Sequence, residues 1–132
     1  MSEQADEENP VKISEIAFVC YAVSGLKKAR PFYEETLGLT ATKTYLGPDS
    51  DVGMVEYDLG GSTFAIGCGA PMFKPGGNNV AVALEVADFP AAVKHLRDRN
   101  VKITLEPMEN PNCFMVLIED PDGNPLMIHH RK

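Results

Sequence analysis

One pattern runs through this chain twice, and any fold it adopts has to accommodate both copies. Ile13 to Val23 is rich in β-branched, aromatic and apolar residues and has the length of a buried strand. Ser24-Gly25 breaks it, and Leu26, Ala29, Phe32 or Tyr33 and Leu37 then recur at helical spacing until Gly38, a natural residue to follow a helix C-terminus. Pro31 falls inside that helix, so either the regular helix begins near it or the first turn is irregular. Three short strands follow, Thr40 to Leu46, Gly53 to Leu59 and Thr63 to Cys68, separated by Gly47-Pro48-Asp49 and by Gly60-Gly61.

The order then restarts. Val80 to Val86 reads as a strand, Asp88 as an N-cap, and Phe89, Ala92, Val93 and Leu96 as a helical stripe that ends at Asn100. Lys102 to Leu105, Cys113 to Ile118 and Pro125 to His129 supply three more strands. An internal repeat with an offset of about 62 residues therefore organises the chain. It predicts an α+β fold of two tandem βαβββ modules, side by side in one cupped, eight-stranded mixed sheet with the helices outside. Module one covers about 11–70, a linker rich in Gly, Pro and Asn about 71–79, and module two about 80–132, all within a single domain from 11 to 132. Residues 1–10, acidic and poor in apolar groups, read as a disordered tail.

The stretch Ile118 to His129 decides how the last strand is set. Asp120-Pro121-Asp122-Gly123-Asn124 supplies a fixed φ, Asx-type hydrogen bonds and a residue tolerant of positive φ, so it reverses the chain between two apolar runs. The turn fixes the register, and period two puts Met127 and His129 on one face, Leu126 and Ile128 on the other.

Composition bounds the function. With 44% hydrophobic residues, 132 residues suffice for one real core but not for two ordinary domains. A net charge of −7 offers no basic stripe for phosphate, which argues against nucleic acid as a partner. To the extent that the charge bears on function, it favours a cationic ligand. Cys20, Cys68 and Cys113 are odd in number and widely spaced, as befits free thiols in a reducing cytosol. The acidic start is not a signal peptide, and no apolar run approaches the roughly 18 residues of a membrane span, so a cytoplasmic location without a membrane partner is expected.

Three spaced signals carry a family resemblance from about Val11 to the C-terminus. They are Val23 followed by Phe32-Tyr33-Glu34-Glu35 and Leu37-Gly38-Leu39, then Leu84-Glu85-Val86-Ala87-Asp88, then Asp120 to Asn124. Together they resemble the glyoxalase/bleomycin-resistance/dioxygenase superfamily, also called vicinal oxygen chelate, which hosts lyases, epimerases, dioxygenases, transferases and non-catalytic drug-binding proteins. Metal-using members place one His, Gln or Glu on the inward face of each of four strands, and the resemblance puts those positions at Phe18, Ala65, Ala81 and Met127. None offers a donor suited to the hard divalent cations of that chemistry: alkyl and aryl groups have no lone pair, and a thioether is a poor ligand for them.

The resemblance therefore implies a metal-free, cofactor-free pocket between the modules, binding a small, partly apolar molecule as the bleomycin-resistance-like branch does. Phe18, Cys20, Ala65, Ala81, Met115, Met127 and His129 are its expected lining, by strand parity and by the repeat. A homodimer is implied too, since relatives cover their sheet edges with a second chain. The rival reading is a metal-dependent lyase, isomerase or dioxygenase, and a third is a non-catalytic dimeric interaction module. Of the remaining polar candidates, His129 and His130 face opposite ways, His95 lies off the apolar stripe and reads as solvated, and Glu56 and Asp58 read as an outward charged alternation.

Overall fold

The computed structural model describes residues 17–69, 75–76, 82–111 and 113–132. The acidic tail, most of the linker, Ala81 and the start of the first expected strand lie outside the described residues. Within them the order is β1 (Val19–Ala22), α1 (Leu26–Pro31), a single π-helical turn (Phe32–Thr36), β2 (Lys43–Leu46), β3 (Gly53–Leu59) and β4 (Ser62–Cys68). Then come β5 (Val82–Glu85), α2 (Phe89–Asp98), β6 (Lys102–Asn110), β7 (Cys113–Glu119) and β8 (Pro125–Arg131). No helix among the described residues is long and apolar enough to cross a membrane.

Both modules have the βαβββ order, but the single eight-stranded sheet gives way to two four-stranded mixed sheets. Their strand orders are β1-β4-β3-β2 and β5-β8-β7-β6, with β1 parallel to β4 and β5 parallel to β8. The inner edges, β1 and β5, do not pair with each other. β6 runs on to Asn110, five residues past the expected end, because Met108, Glu109 and Asn110 pair with Met115, Phe114 and Cys113 across irregular register.

Pro31 resolves in a third way. It closes α1, and the chain then widens so that the Leu37 N–H reaches the Phe32 carbonyl, five residues back. Proline has no N–H to give and its ring crowds the carbonyl four residues before it, which favours such local widening. In α2 the Asp88 side chain accepts from the Ala91 N–H, and Pro90 sits where a missing N–H costs nothing.

One core joins the modules. Tyr21, Val23, Val55, Tyr57, Phe64 and Ile66 of sheet one pack with Leu26, Ala29 and Tyr33 on one side; Val116, Ile118, Leu126 and Ile128 pack with Phe89 and Leu96 on the other. The turn at Asp120 is the clamp between them. Asp120 Oδ2 accepts from the Tyr33 hydroxyl at 2.8 Å and from Asn124 Nδ2 at 2.9 Å, while Oδ1 accepts the Asp122 and Asn124 N–H groups. Asn124 Nδ2 also donates to the Ala22 carbonyl, and the Ser24 N–H donates to Asp122.

A second link is more unusual. The Tyr21 hydroxyl donates to the Pro125 carbonyl and accepts from the Val82 N–H, both at 2.6 Å. Further along, the Val86 N–H bonds directly to the His129 carbonyl, and the same parallel pattern would join Val82 to Pro125. A side chain of module one is thus inserted at the first rung of the β5–β8 ladder. Burial, opposed by that Val82 bond, raises the Tyr21 phenol above its ordinary range.

Candidate functional site

The inserted tyrosine pins β1 to β5 at one end, and beyond it the two edges leave a cleft of about 810 Å³. Val19 and Phe64 line it from module one and Ile128 from module two, while Leu37, Ala92 and Leu96 approach it from the helical segments. The other wall is β5 itself: all five residues from Val82 to Val86 line the cleft. Consecutive side chains of a strand point to opposite faces, so such a run marks a strand edge rather than a face.

Polar groups are few and peripheral: Thr36, Ser62, Thr63, Glu85, His95 and Arg131. His95, expected to be solvated, is exposed but also spans the modules, its Nε2 lying 2.9 Å from the Thr36 carbonyl. Glu85 is held away from its own backbone. One carboxylate oxygen is 2.6 Å from His129 Nδ1 and the other accepts the Arg131 N–H at 2.7 Å, and these bonds, the backbone one foremost, hold its pKa below the usual carboxylate range.

The expected lining residues lie elsewhere on the sheets. Cys20 pairs with Ala65 on the side of sheet one that faces away from the helices, Phe18 shares that parity two residues earlier, and Glu56 pairs with Ala65 from β3. Ala65 is buried, whereas Phe18 is 47% exposed. Burial, with a smaller push from Glu56, raises the Cys20 thiol to about 11.

On sheet two, Met127 pairs with Ala83 and Leu117, and His129 with Glu85 and Met115, again on the side without helices. Met127 and His129 do share a face, and His130 faces the other way, stacked on Phe114 with Nδ1 2.7 Å from the Val86 carbonyl. The described members of the expected set therefore divide between two sheets, and none of them lines the seam cleft. Asp58 accepts from the Thr63 hydroxyl and makes no pair with Glu56.

The cleft residues that sequence reasoning passed over, Val82, Leu84 and Leu96 above all, carry ordinary core signatures. No periodicity distinguishes a core residue from one beside a gap between two edges. The available signal was Tyr21, a polar atom at an inward position in an apolar run.

Donor chemistry at the family's metal positions does not suit a divalent ion. Phe18, Ala65 and Met127 supply no hard donor, and among the described residues no group of three or more His, Cys, Asp or Glu side chains could hold one. No step through a metal follows from these residues.

A sequence model of the Glyoxalase/Bleomycin resistance protein/Dioxygenase superfamily matches residues 15–128. The chain belongs to that superfamily. No curated protein matches it. Among solved structures of the superfamily's fold, it is similar to TnmS3, an antibiotic binding protein from Streptomyces sp. CB03234, at 24% identity and a TM-score of 0.74, over 91% of this chain and 98% of that one. A member of the superfamily from Sphaerobacter thermophilus DSM 20745 is 27% identical with a TM-score of 0.70, over 91% and 99%. FosX, a fosfomycin resistance protein from Listeria monocytogenes, is 11% identical with a TM-score of 0.69, over 89% and 93%, which is a likeness of fold alone.

Proposed function

We propose that this chain binds a small, partly apolar molecule in the seam cleft between its two modules, without a metal ion. The cleft itself carries the reading: about 810 Å³ walled by residues that would be plain core had the two edges met. Sites for small ligands are typically of roughly 300–1,000 Å³, mostly apolar, with a few placed polar groups. TnmS3 is described as an antibiotic binding protein, and a compound of that mixed character is the class carried over to this chain. The net charge of −7 favours a cationic member of that class.

The sides of the sheets without helices have a separate role in this reading. Cys20, Met115, Met127 and His129, with Phe18 beside them and Ala65 buried beneath, form the surface on which a second copy packs in a homodimer. Support comes from the large apolar side chains left open there and at the edges, Tyr45 at 54%, Leu46 at 39% and Met108 at 41% exposed.

Fluorescence titration with N-phenyl-1-naphthylamine, a neutral apolar probe, tests the site in the presence of EDTA. Saturable binding is expected, unaffected by the chelator and weakened at least about tenfold in Ala92→Trp, whose indole fills the cleft. Binding that requires an added metal, or that survives Ala92→Trp unchanged in a folded protein, would overturn the reading.

A further inference from the structure

The wall formed by β5 carries main-chain chemistry as well as side chains. The Val86 N–H points to β8, and the Val82 N–H points to the Tyr21 hydroxyl inserted beside β8. In a strand the N–H and C=O of one residue point to the same side and alternate from residue to residue. Ala83 and Glu85 therefore direct their amide and carbonyl groups away from β8, toward the cleft that both residues line. Among the described residues β5 pairs with β8 alone, and no described group bonds to these main-chain atoms. The Glu85 side chain, tied to His129 and the Arg131 N–H, does not fold back to satisfy them.

From this we infer that the cleft selects ligands bearing a carboxamide, lactam or urea edge joined to an aromatic or alkyl body. Such an edge presents a carbonyl acceptor and an N–H donor on one side, the complement of the N–H and C=O that one extended residue presents. Pairing with Ala83 would continue sheet two by one small molecule, as a peptide strand does when it adds to an open edge. The apolar body lies against Leu84, Leu96 and Phe64, where exclusion of water strengthens both hydrogen bonds and penalises any ligand that leaves the edge unmet. The inference rests on the cleft being the binding site.

Two probes of nearly equal shape separate the two ideas. 2-Naphthamide and 2-acetonaphthone share the naphthalene and the carbonyl, and differ in NH₂ against CH₃. Titrated into the full chain, the amide is expected to bind at least about tenfold more tightly, the worth of a net hydrogen bond near the upper end of the usual range. Ala83→Pro removes the N–H that faces the cleft and no rung of the β5–β8 ladder, a substitution an edge strand tolerates. It should weaken both probes by a similar factor, because each carbonyl loses the Ala83 N–H, while the amide keeps its lead through its NH₂ donating to the Ala83 carbonyl.

Equal binding of both probes to the unaltered protein would overturn the inference and leave the cleft standing as an apolar site. Absence of binding by either would remove the cleft reading and the inference with it. Binding of both probes to folded Ala83→Pro as tight as to the unaltered chain would also overturn the assignment. Should that variant fail to fold, the probe pair on the unaltered chain still decides.

Discussion

The two modules share one pattern and differ at three places, and those differences build the seam. Module one turns into its last strand through Leu59-Gly60-Gly61-Ser62, with Gly60 at φ +60° and open space around it. Module two makes the same turn through Asp120 to Asn124, whose carboxylate and carboxamide collect bonds from α1's end of the molecule and from β1. Module one places a tyrosine at Tyr21 where the repeat gives module two Leu84, so only one side sends a hydroxyl across. On the sides without helices, module one presents Cys20, Ala22, Ala65 and Gly67, and module two presents Met127, Leu117, Met115 and His129. Repetition accounts for the fold; departure from it accounts for the clamp, the plug and the open edge.

Breaking the clamp should cost most. Asp120→Ala leaves the buried Tyr33 hydroxyl without its acceptor and frees two backbone N–H groups, so a loss of about 3–5 kcal/mol in urea unfolding is expected. A loss below about 1 kcal/mol would mean that the turn's own loop, not its carboxylate, joins the modules.

Tyr21→Phe comes next, at about 1–2 kcal/mol, because the Val82 N–H and Pro125 carbonyl lose their shared partner. Hydrogen exchange should show the Val82 amide opening while that of Val86 stays protected. Equal protection of both would show that the ladder closes over the gap. In module one, Gly60→Ala should cost only about 1–2 kcal/mol, from the left-handed backbone and not from crowding. A cost matching that of Asp120→Ala would erase the contrast between the turns.

The smallest effect concerns Cys20. Its thiol, raised to about 11 by burial, should stay protonated and alkylate slowly with iodoacetamide at pH 8, whereas the unfolded chain reacts as an ordinary thiol. The same shift has a sign for stability: the folded form keeps its proton, so the contribution is whole below the unfolded value near 9 and is lost as pH rises toward 11. Fast alkylation in the folded protein would place Cys20 in a more open setting than its partners Ala65 and Glu56 imply.

Much of this was legible in the residues. Period-two alternation placed Met127 with His129 and apart from Ile128, and helical spacing found α2 to within a residue or two. The turn chemistry of Asp120 to Asn124 located the clamp as a reversal. What the residues did not disclose were relations between distant edges: whether β1 and β5 would meet, and where the Tyr21 hydroxyl would go. Leu84 and Leu96 look the same in sequence whether they touch a facing strand or a gap. Pro31 announced a disturbance in the first helix, but the choice between a late start and a widened turn depends on the packing of Tyr33 against Asp120, which no local rule contains.

Methyl-resolved NMR of the full chain, titrated with N-phenyl-1-naphthylamine in EDTA, puts the central claim to the most direct test. Binding in the seam predicts saturable shifts at the methyls of Leu37, Leu84 and Leu96, with those of Met115 and Met127 unmoved. Shifts confined to Met115 and Met127, or no saturable shift until a divalent metal is added, would contradict it.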